Sequence, residues 1–341
     1  MANTDYAATL ARAHWAGTNA DQDIHIEAYE GDIEGSFRIT SMFRASGLTT
    51  FKPLSGTNTW RGDRIGGAVV KGRTSGVKLD QTRIANEKMV ITVDTTSYIS
   101  TPMDYQDDWT APSFQAEYSA EHGSAHAKAF DQAHIIQLIK AGAWKAPASL
   151  AGAFNDGIQN TATGYAALVA TGTATDAASA ADLLVRRHKA DIATFVKRDL
   201  GDSIAEFVTL ITPDAFNILL DHSKLMNVQF QGGPSGGDGE NSFSKRRIAW
   251  LNGIRVIETP RFPTGAITAH ILGPAFNVSA AEAKALMITF LPRKTLVTVE
   301  AQPMTVRVWD DKQNFANILD SYTLYTVGLK RGDCVAVVFS D

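Results

Sequence analysis

The stretch Phe207-Val-Thr-Leu-Ile-Thr-Pro-Asp-Ala-Phe-Asn-Ile-Leu-Leu220 changes character in its middle. Phe207 to Ile211 is a short run of large apolar and β-branched residues, dense enough for a strand and too short for a helix. Thr212-Pro213-Asp214 then supplies an N-cap, a proline at the first helical position where its missing N–H costs nothing, and an acid in the first turn. A helix through Leu220 follows. A strand feeding directly into a helix makes an α/β layer, and the remaining question is whether the rest of the chain alternates in the same way.

It does not. Upstream, Ala181, Leu184, Val185, His188, Ile192, Phe195 and Val196 keep helical spacing up to Gly201, an amphipathic helix, whereas 148–176 is rich in Ala, Gly and Thr and reads as irregular. Further upstream, Pro112-Ser113 opens a long helix through Ala141. Phe130, Ala133, Ile135, Ile136, Leu138 and Ile139 make its C-terminal half apolar on every side, which requires burial, and Gly142 and Pro147 end it. Downstream, a loop with five glycines from Gln231 to Asn241 precedes strands at Arg247 to Leu251 and Arg255 to Glu258. From Leu286 the pattern turns β, with strands at Thr295 to Val299, Thr305 to Trp309, Tyr322 to Val327 and Val335 to Phe339. Helices and strands are segregated more than alternated, so the fold class is α+β.

The first ninety residues carry little core. Residues 1–46 lack a clean period and read as an extended arm. From 47 to 88 glycines punctuate short β-prone pieces, such as Leu48 to Phe51 and Ala68 to Val70, as in a long twisted hairpin. Met89 to Val93 is a compact strand. The charges of these two regions oppose each other. Residues 1–36 hold Asp5, Asp21, Asp23, Glu27, Glu30, Asp32 and Glu34 against Arg12, a balance of −6. Residues 47–88 hold Lys52, Arg61, Arg64, Lys71, Arg73, Lys78, Arg83 and Lys88 against Asp63, Asp80 and Glu87, a balance of +5. Charge runs commonly just face water. The alternative is complementarity between neighbouring chains, which steers association and fixes register. On that view the candidate intersubunit residues are Trp60, Arg61, Arg64, Ile65, Val69, Lys71, Arg73 and Lys78 on the hairpin, with Asp21, Asp23, Glu27 and Glu30 on the arm.

Composition excludes several classes. With 341 residues, 44% of them hydrophobic, the chain can build the cores of two ordinary domains. Its most apolar stretches, Ala285 to Leu291 and Cys334 to Phe339, are far shorter than the roughly 18 residues of a membrane span. No secretory signal is visible. The single cysteine forbids an intrachain disulfide, and a net charge of −4 lacks the basic balance of a nucleic-acid reader.

No motif carries catalytic chemistry. Gly233-Pro-Ser235-Gly-Gly237 matches the nucleophile-elbow spacing, but no apolar strand leads into it and a glycine-rich loop cannot hold the sharp turn that exposes the serine. His122 and His126 stand at i, i+4 on the long helix, yet Gly123 occupies the place of the general-base glutamate of zinc-binding helices. A solvated or packed helix face explains the pair better. The 231–240 loop lacks the Gly-Lys-Ser/Thr ending of a phosphate loop. Arg61-Gly-Asp63 and Arg331-Gly-Asp333 are explained by turn chemistry, and Cys334 in its apolar strand by an inert buried thiol. No catalytic, cofactor or metal site is assigned, and no enzymatic activity is expected.

The succession of elements does carry a resemblance. The glycine-studded basic hairpin leading into Asn86-Glu-Lys-Met-Val-Ile-Thr-Val-Asp94, the helix at Ser113 to Ala141, the Phe207 to Leu220 strand and proline-initiated helix, and Trp250-Leu-Asn-Gly-Ile-Arg-Val-Ile-Glu-Thr-Pro260 resemble, in order, elements of the major capsid protein of short-tailed phages. That resemblance implies the Hong Kong 97-type capsid fold. Its parts would be an N-terminal arm over 1–46, an extended β-hairpin loop over 47–88, a peripheral domain with the spine helix over 89–147, an axial domain over 148–285, and a C-terminal β segment over 286–341 completing the peripheral domain. It further implies self-assembly as hexamers and pentamers into an icosahedral shell around double-stranded DNA held without sequence-specific contacts. A portal protein would occupy one vertex, and the chain would be made in the host cytoplasm and end in the virion, with no membrane partner. Because the sequence begins almost at the arm, a separate scaffolding protein is expected. Some relatives cross-link through a loop lysine; Lys71 and Lys78 lie near the tip, but no partner asparagine or catalytic acid can be assigned. The runner-up function on the same fold is an encapsulin-like compartment.

Overall fold

The computed structural model describes residues 41–105, 114–150, 152–222, 225, 246, 248 and 250–341. The acidic arm residues Asp21, Asp23, Glu27 and Glu30, and the glycine loop with Ser235, lie outside the described residues.

The stretch from Phe207 to Leu220 folds as its sequence predicts. Strand β6 (Val208–Ile211) is buried along its whole length, and helix α5 (Pro213–Leu220) starts on Thr212, whose hydroxyl accepts the Ala215 N–H. Alternation along β6 sends its side chains into two cores. Val208 and Leu210 join a core built on the long helix α2 (Phe114–Gly142); Ile211 joins a second, with α4 (Ala174–Lys197) and α5. Thr209 is also buried and is bonded to His188 and Thr289.

β6 sits inside a six-stranded sheet ordered β5-β12-β9-β6-β8-β7, with β5 (Ile158–Ala162), β7 (Trp250–Leu251), β8 (Ile254–Glu258), β9 (Ala285–Phe290) and β12 (Val335–Ser340). A four-stranded sheet is ordered β1-β10-β11-β4, with β1 (Thr50–Pro53), β4 (Thr96–Asp104), β10 (Leu296–Asp311) and β11 (Ala316–Leu329). β2 (Thr59–Ile65) and β3 (Asn86–Thr92) form a separate two-stranded stem. The architecture is α+β. Helix α2 packs on β11 and β12, and its C-terminal half, with Ile135, Ile136, Leu138 and Ile139 all buried, joins the two large sheets. Each of those side chains contributes about 1.5–3 kcal/mol by leaving water.

Several local expectations need correcting. Leu48 to Phe51 is not a hairpin arm: β1 runs parallel to β10, Thr50 opposite Val297, and so belongs to the four-stranded sheet. Ala68 to Val70 forms no strand. The segment 148–176 is not irregular; it holds β5, paired in parallel with β12, a short helix α3 (Tyr165–Thr171) and the first turn of α4. The strands expected at Thr295 to Val299 and Thr305 to Trp309 are one strand, β10, with register shifts at Glu300/Gln302 and Gln302/Thr305. Within 285–341, β10 and β11 lie in the four-stranded sheet, and β9 and β12 in the six-stranded one. Among the described residues no helix is long and apolar enough to cross a membrane.

Candidate assembly surface

The stem that carries the exposed loop is held down by its alternate residues. In β2 the side chains of Trp60 and Arg64 face the body, with Gly62 between them, and those at 61, 63 and 65 face out. Trp60 packs on a cluster of Met89, Ile91, Val93, Val297 and Val299. Its ring lies over Gly62, where a Cβ would come within 2.5 Å of the indole, so only glycine fits there. At Gly328 a Cβ would lie 2.1 Å from Ile91, and the missing side chain lets the stem approach β11. Arg64 completes the attachment. Its guanidinium donates to the Leu329 and Lys330 carbonyls at 2.8 Å and lies 5.5 Å from the Trp144 ring centre. Burial lowers its pKa, while Glu87 and Asp333 oppose the shift.

Trp60 and Arg64, both expected as contacts to a neighbouring chain, are therefore used inside the subunit. The exposed members of that set are Arg61, Ile65, Val69, Lys71, Arg73 and Lys78. Arg61-Gly-Asp63 lies in β2 and not in a turn, a further correction. Arg331-Gly-Asp333 does turn, with Arg331 doubly bonded to a buried Asp333 at 3.0 and 2.6 Å.

Beyond the last stem bond, Gly66 N–H to the Ala85 carbonyl at 2.8 Å, the chain runs from 67 to 84 without strand or helix. Lys71 pairs with Asp80, and Arg73 donates to the Val77 carbonyl. Val69, Val70, Val77, Leu79 and Ile84 all point largely into solvent, Val70 at 98%. Val77, Leu79 and Ile84 were not singled out from the sequence. Their signal was the alternation of Val77 and Leu79 with Lys78 and Asp80, a two-residue period too short to stand out. Lys71, Arg73, Lys78 and Arg83 against Asp80 leave the loop basic.

The His122 and His126 pair is a packed face. His122 contacts Thr101 at 2.8 Å and Ser321 at 3.0 Å, and His126 contacts Ser321 at 3.0 Å. Burial lowers both pKa values. Eight residues further along the helix, His134 donates to the Phe130 carbonyl, contacts Thr298, and is pushed down to about 3 by burial. Among the described residues no three His, Cys, Asp or Glu side chains are grouped as metal ligands. Cys334 is fully buried, and burial pushes its thiol up to about 12.

No family model matches the chain, and no curated protein does. Solved structures do. The mature capsid of bacteriophage PhiM1 is 44% identical, with 99% of this chain and 98% of that chain covered and a TM-score of 0.78. The capsid of cyanophage P-SCSP1u shares the fold at 15% identity, over 97% and 99% of the two chains, with a TM-score of 0.74. The capsid of an empty gene transfer agent particle does so at 10% identity and 0.55, over 91% and 93%. An exposed apolar loop on an anchored stem, the α+β architecture and end-to-end identity with a phage capsid agree: the chain belongs to the bacteriophage major capsid proteins of the Hong Kong 97-type fold.

Proposed function

We propose that copies of this shell protein join as hexamers and pentamers into an icosahedral capsid around double-stranded DNA, each subunit laying its 67–84 loop on the next around the ring. The observation that carries this is the loop itself: five exposed aliphatic side chains on a stem anchored to the body by Trp60, Met89 and Ile91. Exposed apolar surface of that kind marks an interface. The contact is heterologous, each copy giving and receiving one loop, so it closes a ring. Basic loop charges and the acidic 1–36 segment would steer it. In this scheme the four-stranded sheet with α2 forms the peripheral domain, α2 being the spine helix, and the six-stranded sheet with α3 to α5 the axial domain. A separate scaffolding protein, a portal at one vertex, DNA held without sequence-specific contacts, and synthesis in the host cytoplasm complete the scheme. A cellular encapsulin-like compartment is less favoured, since the 44% identical relative is a phage capsid.

Replacing 67–84 by a short glycine-containing turn tests the loop's role. The stem stays whole, so the melting temperature should shift little, while electron microscopy should find no closed shells. Normal shells from the shortened chain would sink the proposal. A cut starting at Thr57 would also remove Trp60 and Arg64 and confuse folding with assembly.

A further inference from the structure

The four-stranded sheet ends in a strand that is covered over only part of its length. β1 lies beside β10 from Val297 to Glu300; from Gln302 to Asp311 that edge has no neighbour among the described residues. A free edge is a template for another strand, and proteins blunt it with proline, bulges or lysine. Here Pro303 and both register shifts sit between Glu300 and Thr305, beside the covered part and before the regular ladder. From Thr305 onward the pairing to β11 is regular, and Met304, Val306, Val308 and Trp309 are between 40% and 55% exposed.

We propose that this edge pairs with the same edge of a second copy, antiparallel about a two-fold axis at Trp309. The charges select the occupant and the register. A two-fold axis perpendicular to the sheet sets residues equally spaced about the centre opposite one another on one face. Centring on Arg307 would oppose two guanidinium groups. Centring on Val308 sets Asp310 against Val306 and gives Arg307 no acid from the second copy, while its own cross-strand neighbour Asp320 is already bonded to Ser100 and Trp309. Centring on Trp309 sets Arg307 of each copy against Asp311 of the other. Both groups are available for it. Arg307 lies 5.1 Å from the Tyr322 ring centre and has no ion pair among the described residues. Among the described residues the Asp311 carboxylate accepts the Gln313 N–H and the Asn314 side-chain amide.

The ladder from Arg307 to Asp311 is short, far below the roughly 800 Å² per partner of a stable interface. Free subunits stay monomeric on this account. The pairing forms only where a shell holds two copies together at high effective concentration, and in that respect it rests on the proposed capsid assembly.

Trp309→Cys provides the test, because the native Cys334 is buried and silent. Directly opposed positions have Cβ atoms about 5 Å apart, close enough to bridge after oxidation. Oxidised shells should give a covalent dimer from Trp309→Cys, little from Val308→Cys, and none from Tyr98→Cys on β4 at the far side of the sheet. Dimers from Val308→Cys but not from Trp309→Cys would overturn the register. Monomers throughout, in normal closed shells, would overturn the pairing and leave shell assembly standing; a wild-type chain that builds no shells would instead overturn the assembly scheme. Should Trp309→Cys fail to fold, charge exchange decides. Arg307→Asp and Asp311→Arg should each lower the yield of shells severalfold, and the double exchange should restore it. No rescue in subunits with normal melting temperatures, or a mapped cross-link from Arg307→Cys to the 1–40 segment in place of a second β10, overturns the proposal.

Discussion

Asp191 shows how strongly single residues depend on what surrounds them. It is 1% exposed on α4; one carboxylate oxygen is bonded to Asn160, the other has no hydrogen-bond partner among the described residues, and burial pushes its pKa up to about 7. Because the folded pKa is raised, the native state binds the proton more tightly than the unfolded chain. This contribution therefore falls as pH rises from about 4 to about 7. Asp191→Asn should stabilise the fold by about 2–4 kcal/mol at pH 8 and by much less near pH 4, read by denaturant titration at both values. His134 and His188, lowered to about 3 and about 4, act with the opposite sign: their contribution is complete above about 6.5 and lost as pH falls. At His122 the sequence misled. The i, i+4 spacing of His122 and His126 suits a solvated or a packed face, and only on a solvated face would His122→Ala be nearly neutral. Its partners Thr101 and Ser321 lie 21 and 199 residues away, beyond any local pattern. We now expect a loss of about 1–3 kcal/mol in urea melts.

At the scale of elements, period and capping were legible where an element's own residues determine it. The spine helix, the Phe207 to Leu220 pair and α4 all have that property. Elements made by distant partners were not legible. β5 exists because β12 pairs with it, and α3 begins where the Asp341 carboxylate accepts the Gly164 and Ala166 N–H groups. β1 left the hairpin for a partner about 250 residues on, which composition cannot reveal. The candidate site divided along the same line. Glycine and charge content marked the exposed loop, but which hairpin residues turn inward depended on Leu329, Lys330 and Val297. Arg64→Ala should cost about 1–2 kcal/mol through two lost hydrogen bonds and the Trp144 contact. Arg61→Ala, facing out, should stay within about 0.5 kcal/mol. Thermal melts of the two variants compare them directly, and equal losses would contradict the inward and outward assignment.

For the whole molecule, charge separation bears on assembly. In the proposed scheme the −6 segment at 1–36 and the basic exposed loop would attract between copies, and pairs exposed to solvent are screened beyond about 8 Å at physiological ionic strength. Light scattering across a salt series should show assembly slowing as salt rises, with apolar loop contacts softening the effect. A rate independent of salt would remove the steering role.

The order of strands in the six-stranded sheet also bears on when a subunit becomes competent. β12, the last strand in chain order, lies between β5 and β9, and Val335 and Val337 fill the core beneath the spine helix. A nascent chain still on the ribosome holds the assembly loop but lacks the strand that joins these two parts. Under the proposed assembly, neighbouring nascent chains on one message would meet as incomplete sheets with no rigid body behind the loop, and commitment to a ring would wait for translation to reach Val335 and beyond.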